Sequence, residues 1–144
     1  MNTTPRFEEL PHTADWAMRV TAPDLAGLFA ESARGMNALA GVKLALTEAE
    51  GFASVPKTHR TLNLSAPDTE GLLVAFLSEL VYSAEQERLA FDELDIKVEG
   101  KTLKAEMSGA PILSLNKSIK AVTYHNLHIR QTARGYEVEI VFDV

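Results

Sequence analysis

The chain has 144 residues, 46% of them hydrophobic and 24% charged, the balance of one folded domain over residues 1–144 rather than of a disordered chain. It carries no cysteine, which excludes a disulfide framework, a thiolate zinc or iron–sulfur site and a cysteine nucleophile. The net charge of −6 argues against a sequence-independent nucleic-acid binder, which would be basic overall.

In chain order, Trp16, Met18 and Val20 alternate with Ala17 and Arg19 as in a strand with one buried face. A helical pattern follows, with Leu25, Leu28, Phe29, Ser32, Met36, Leu39 and Ala40 at spacings of three and four. Gly41 is placed to cap its C-terminus. The run from His59 to Leu64 reads as a second strand, and Leu72, Leu73, Phe76, Leu77, Leu80 and Val81 as a second helix. Its broader apolar face predicts deeper burial, with the helix fading near Ala84–Glu87. Leu94, Ile96 and Val98 alternate, Gly100-Lys101 makes a hairpin turn, and Leu103, Ala105 and Met107 alternate back. The segment from Ser118 to Gln131 reads as one long strand, Arg134-Gly135 as a turn, and Tyr136, Val138, Ile140 and Phe142 as a closing strand. Pro56, Pro67 and Pro111 are expected at breaks.

The two strand–helix units repeat. Val20-Thr21-Ala22-Pro23-Asp24-Leu25-Ala26-Gly27-Leu28 aligns with Leu64-Ser65-Ala66-Pro67-Asp68-Thr69-Glu70-Gly71-Leu72 at an offset of 44 residues. Thr21 or Ser65 could accept a backbone N–H at each helix start, with the aspartate three residues on reaching back as in a capping box. The order of elements predicts an α+β fold: a two-layer sandwich with two amphipathic helices on a largely antiparallel sheet, built on two duplicated strand–helix units.

No apolar run approaches the roughly 18 residues that span a bilayer. The opening Met1-Asn2-Thr3-Thr4-Pro5-Arg6 has no apolar signal core. A soluble, intracellular protein is expected. From Met107 to Tyr136 there is no Asp or Glu, but Lys117, Lys120, Arg130 and Arg134 give that stretch +4 and leave −10 for the rest. Such a stretch is a solvated strand face or a surface for an acidic or phosphate-bearing partner. There is no phosphate loop, no Gly-x-Ser-x-Gly elbow and no paired-histidine helix motif.

Three groups could carry chemistry. In His12-Thr13-Ala14-Asp15 an aspartate stands at a strand entry, where its oxygens could hold a hard cation or cap turn N–H groups. Asp143-Val144 puts acidic groups at the end of an apolar strand, either neutralised by a cation or pointing to water. In Lys120-Ala121-Val122-Thr123-Tyr124-His125, alternation would put Lys120, Val122 and Tyr124 on one face and Ala121, Thr123 and His125 on the other. His125 there is a hydrogen-bonded histidine or a base, phosphate donor or ligand.

These groups, together with Phe7-Glu8-Glu9-Leu10-Pro11, the helix around Leu72–Leu80 and the ending Phe142-Asp143-Val144, resemble the archease family in order along essentially the whole chain. The resemblance implies a small cytoplasmic protein that assists an RtcB-type RNA ligase in tRNA splicing or RNA repair. That ligase joins cyclic-phosphate or 3′-phosphate RNA ends to 5′-hydroxyl ends with GTP and Mn²⁺. The archease would promote its guanylylation and repeated turnover and touch RNA only through the ligase complex. A chaperone-like role toward a tRNA methyltransferase is also implied, and no membrane. The family binds a divalent cation, which here would fall to Asp15, Asp143 and an oxygen of Val144: calcium first, with magnesium or manganese as alternatives. His12 would orient Asp15, and Lys120, Thr123, Tyr124 and His125 would belong to the same surface. No catalytic residue is implied. Two departures stand out. Trp16 takes a position commonly aliphatic, and Ala110, in an expected loop Gly109–Leu113, cannot coordinate a metal. A competing reading from a different class is a small metal-dependent hydrolase using Asp15, His125 and Asp143.

Overall fold

The structure is a computed structural model, and it describes residues 4–10, 16–45 and 57–144. Two sheets, antiparallel at every described pairing, share one core with two helices. The first sheet runs β1 (Arg6–Leu10), β2 (Trp16–Ala22), β9 (Gly135–Asp143) and β7 (Ala121–Val122), with β8 (Arg130–Thr132) also on β9. In the second, β6 (Thr102–Ser114) is central, paired with β3 (Lys43–Leu44), β4 (Thr58–Ser65) and β5 (Leu89–Glu99). The expected α+β architecture is the one observed, with its strands divided between two sheets.

Helix α1 (Leu25–Ala40) packs on β2 and β5, and so bridges the two sheets. Helix α2 (Thr69–Tyr82) packs on β4, β7 and α1. Phe29 and Phe76, both fully buried, stack with ring centroids 6.1 Å apart where the helices meet. On β2 and β9, Met18, Val20, Val138, Ile140 and Phe142 face this core without solvent exposure, as period-two alternation requires. Leu94, Ile96 and Val98 stand opposite Met107, Ala105 and Leu103, the hairpin register read from the sequence.

The duplicated units share their cap chemistry, and it differs from the expectation. Asp24 and Asp68 are themselves the N-caps, with extended backbones. Their carboxylates accept the Gly27 and Gly71 N–H at 2.6 Å. Thr21 and Ser65 lie in the preceding strands. The reason is proline: Pro23 and Pro67 keep the residue before them extended, so the helix can begin only beyond. Asp24→Ala and Asp68→Ala should each lower stability by about 1 kcal/mol in chemical denaturation, the usual cost of losing such a cap. Gly41 does end α1, at φ 68°, and its N–H and that of Val42 reach the Ala38 and Asn37 carbonyls.

The structure adds two strands and corrects further readings. Arg6–Leu10 is an edge strand and Lys43–Leu44 a short one, neither foreseen. The run 118–131 is not one strand. It pairs with β9 at Ala121–Val122, then turns at Asn126, whose φ of 53° asparagine tolerates, with Leu127 N–H bonded to Tyr124 O, before pairing resumes at Arg130 in β8. Gly109–Leu113 is no loop but the C-terminal part of β6, with Ala110 fully buried. Pro111 therefore lies within a strand. Its carbonyl accepts Ala45 N–H, so its nitrogen faces the β3 flank and no β5 rung is lost. Pro56 lies outside the described residues.

Beyond α2 a wider π turn covers Ser83–Glu87 and ends at Arg88, φ 52°. Arg60 of β4 pins it. Its guanidinium bonds Glu87 through two nitrogens, at 2.7 and 3.0 Å, reaches Ser83 Oγ at 3.0 Å and lies over the Phe91 ring. The Arg60 hydrogen bonds hold the Glu87 carboxyl below the usual range, as Lys57 does for Glu93. A carboxyl depressed in the folded state stabilises above its unfolded pKa and loses that contribution as pH falls through the folded value. The melting temperature should therefore drop on acidification below about pH 4.3, the ordinary glutamate value. Arg60→Met should flatten that acid limb; an unchanged limb in the variant would contradict the assignment.

Candidate functional site at the end of the first sheet

The site is assembled where β2, β9 and β7 end together. Trp16 stands opposite Phe142, and Ala121 opposite Asp143. Lys120 N–H donates to Asp143 O at 2.8 Å, and Thr123 N–H to Val141 O at 3.0 Å. The segment 120–123 thus straps the end of β9. Alternation along β9 turns Phe142 to the core and Asp143 to the opposite face, where it is exposed. Among the described residues the Asp143 carboxylate has no hydrogen-bond or ion-pair partner. Val144 is half-buried and packs against the core.

Of the residues singled out in the sequence, Asp143, Val144, Lys120 and Thr123 are brought together here. His12 and Asp15 lie outside the described residues; Asp15 directly precedes Trp16 in the chain. Tyr124 and His125 fall in the turn after β7 rather than on strand faces. Tyr124 is 64% exposed, with its hydroxyl near Gly71 at the start of α2. The His125 N–H reaches Thr123 Oγ1 at 3.3 Å, and its Nε2 lies 3.3 Å from Asn126 Nδ2. The turn is held from below: Glu70 of α2 accepts Ile129 N–H at 3.0 Å and lies 3.6 Å from His128 Nδ1.

Two contacts at this end escaped the sequence reading. Lys117 Nζ lies 5.7 Å from the centre of the Trp16 ring, a cation–π contact joining β2 to the 115–119 segment. Lys117 and Asn116 N–H both donate to Ala40 O, which ties that segment to the end of α1. On the exposed face of the same sheet Arg19 gathers Glu8, Glu137 and Glu139 at 2.9–3.3 Å, and Arg130 joins Glu137. Arg19 Nε, 3.3 Å from Glu137, is not aligned for a hydrogen bond, so that contact is electrostatic.

The donors available to a metal are carboxylate and carbonyl oxygens, which suit hard cations. Among the described residues no three His, Asp or Glu side chains converge as a metal site. Asp143 alone of the expected ligating side chains is described, and its open, unpaired carboxylate fits the role of one ligand. A separate hollow of about 510 Å³ crosses the exposed face of the second sheet, lined by His59, Thr61, Glu93, Asp95, Glu106 and Ser108 among others. There His59 Nδ1 and Ser108 Oγ, cross-strand partners, lie 2.6 Å apart, and Glu93 is taken by Lys57. This is a pairing of strand neighbours on an open face.

Among the described residues no helix is long and apolar enough to cross a membrane. The Archease protein family (MTH1598/TM1083) matches residues 7–144. The archease of Methanosarcina mazei is 30% identical over 148 residues, covering 96% of each chain. That of Pyrobaculum neutrophilum is 32% identical over 143 residues, covering 92% of this chain and 91% of its own. The solution structure of protein 1598 of Methanobacterium thermoautotrophicum superposes with a TM-score of 0.67 at 19% identity, over 96% of this chain and 98% of its own. The crystal structure of a Thermotoga maritima archease, described as a possible chaperone, does so with 0.66 at 22% identity, over 95% and 96%. Those two likenesses speak for the fold, and the matches along the sequence for kinship: the chain belongs to the archease family.

Proposed function

We propose that this archease is a non-catalytic, cation-dependent protein cofactor that promotes guanylylation and repeated turnover of an RtcB-type RNA ligase in the cytoplasm. One observation carries the reading beyond kinship: the strap from Lys120 to Thr123 holds the end of β9 so that an unpaired, exposed Asp143 carboxylate stands beside it. Asp15, Asp143 and an oxygen of Val144 would hold the cation, with His12 steadying Asp15. When bound, the cation supplies a fixed positive charge at this strand end. Lys120 and His125 flank it as donors toward a phosphate or carboxylate of the ligase complex. The Thermotoga protein's description as a possible chaperone agrees with an accessory role rather than an enzyme.

The test is calorimetry with Ca²⁺, Mg²⁺ and Mn²⁺, beside ligase guanylylation by GTP with and without this protein. Wild type should bind a cation and stimulate guanylylation; Asp15→Ala should do neither while keeping its circular dichroism. Equal binding and stimulation by Asp15→Ala would end the cation account. Sustained hydrolysis of RNA, GTP or a phosphoester by the pure protein, lost in Asp15→Ala, would favour the hydrolase instead.

A further inference from the structure

Where α1 and α2 end side by side, a groove of about 340 Å³ opens between them, the π turn and the 115–119 segment. That volume lies in the range of small-molecule sites. Its floor is apolar: Met36 and Ala40 from α1, Leu80 and Val81 from α2, and Ile119. Its rim carries Arg88 and Lys117 against a single carboxylate, Glu85.

The rim charges are not used up by the fold. Among the described residues the Arg88 guanidinium has neither a hydrogen bond nor an ion pair. Lys117 has no carboxylate partner there and rests on Trp16. Three of the last four α1 carbonyls, those of Asn37, Ala38 and Ala40, already accept N–H groups, from Val42, Gly41 and the Asn116–Lys117 pair. The backbone is also unusual here. A π turn lines one wall, and Arg88 is held at φ 52°, an uncommon conformation for a residue with a side chain. Arg88 O accepts Ile112 N–H at 2.7 Å, so the position of Arg88 is fixed by the central strand β6 rather than by its own turn alone.

We propose that this groove is a binding site for a small amphipathic anion, with an apolar body against Met36, Leu80, Val81 and Ile119 and one negative group between Arg88 and Lys117. The site stands independently of the cation reading, since none of the expected cation ligands lines it. It adjoins the strap, however. Lys117 to Ile119 form one wall, and Lys120, the next residue, bonds Asp143.

The experiment uses 8-anilinonaphthalene-1-sulfonate, an apolar body with one sulfonate, and its uncharged counterpart N-phenyl-1-naphthylamine. Trp16 is the single tryptophan of the chain and touches Lys117, so energy transfer from it to the probe reports binding, and the rim substitutions locate it. Wild type should bind the sulfonate saturably, one per chain, with sensitised emission on tryptophan excitation. Arg88→Gln and Lys117→Gln should each weaken it about two- to fivefold, the scale of one exposed ion pair. Glu85→Gln should tighten it by a similar factor, and added salt should shrink these differences. The uncharged probe should bind all four proteins alike. Absence of saturable binding, equal sulfonate affinity in all four, or changes that the uncharged probe reproduces would each overturn the proposal. The three substitutions are at rim positions, so their circular dichroism should match wild type.

Discussion

Gly109→Ala should cost about 3 kcal/mol, the upper end of the usual range for forcing an added carbon into a packed interior. A Cβ at Gly109 would lie 1.9 Å from the Ala90 carbonyl oxygen and 2.7 Å from Phe91 Cα. Both are backbone atoms, so no rotamer change relieves the contact. The strands approach this closely because β5 carries an irregularity here: Phe91 pairs with Gly109 and Glu93 with Ser108, leaving Asp92 as the extra residue. Such a bulge bends its strand and increases the local twist. At roughly 3 °C per kcal/mol for a chain of this size, the melting temperature should fall by roughly 10 °C. Ser108→Ala, one residue away, loses only its exposed bond to His59 and should stay within about 0.5 kcal/mol. Calorimetric melts of the two variants check this. Similar melting temperatures would mean that β5 simply moves aside.

That glycine also shows where sequence reading stops. Gly109-Ala110-Pro111 has the composition of a break. The glycine is required by a neighbour some twenty residues earlier, and the proline is tolerated because its nitrogen faces the β3 flank. Both reasons are tertiary. The helices were legible because burial on one side of a helix leaves a 3.6-residue period, and Phe29, Met36, Phe76 and Leu80 keep it. The hairpin around Gly100 was legible for the matching reason in strands. Arg6–Leu10 was not, because an edge strand turns only part of its pattern inward, and Phe7 alone marks it. The turn at Asn126 was hidden by accidental alternation in Ala121–His125. At the site, the sequence marked Lys120 and Asp143 as separate groups. The bond between them depends on strand register across more than twenty residues, which no local pattern encodes.

Asp143→Ala and Lys120→Ala should separate two roles at that strand end. Asp143 faces away from the core at the end of β9, and its carboxylate bonds no described residue. Removing it should leave the fold intact, since the bond from Lys120 N–H goes to the main-chain carbonyl, which alanine keeps. What should be lost is an oxygen ligand, and with it cation affinity, by at least tenfold, the scale of about 1.4 kcal/mol. Stimulation of ligase guanylylation should then fall to the level without this protein at cation concentrations that saturate wild type, and partly return at higher ones. Lys120→Ala also keeps its main-chain bond to Asp143, so cation affinity should stay within about twofold. Its exposed ammonium has no described ion-pair partner to lose. If that charge meets a phosphate or carboxylate of the ligase complex, stimulation should drop several-fold in Lys120→Ala. In wild type it should fall as salt rises, because exposed charges are screened over about 8 Å at physiological ionic strength. The variant, having lost the screened contact, should respond less to salt. Calorimetry and guanylylation across a salt series measure both halves. An Asp143→Ala protein that binds the cation and stimulates like wild type would remove this strand end from the mechanism. A Lys120→Ala protein with the salt response of wild type would move the partner contact elsewhere.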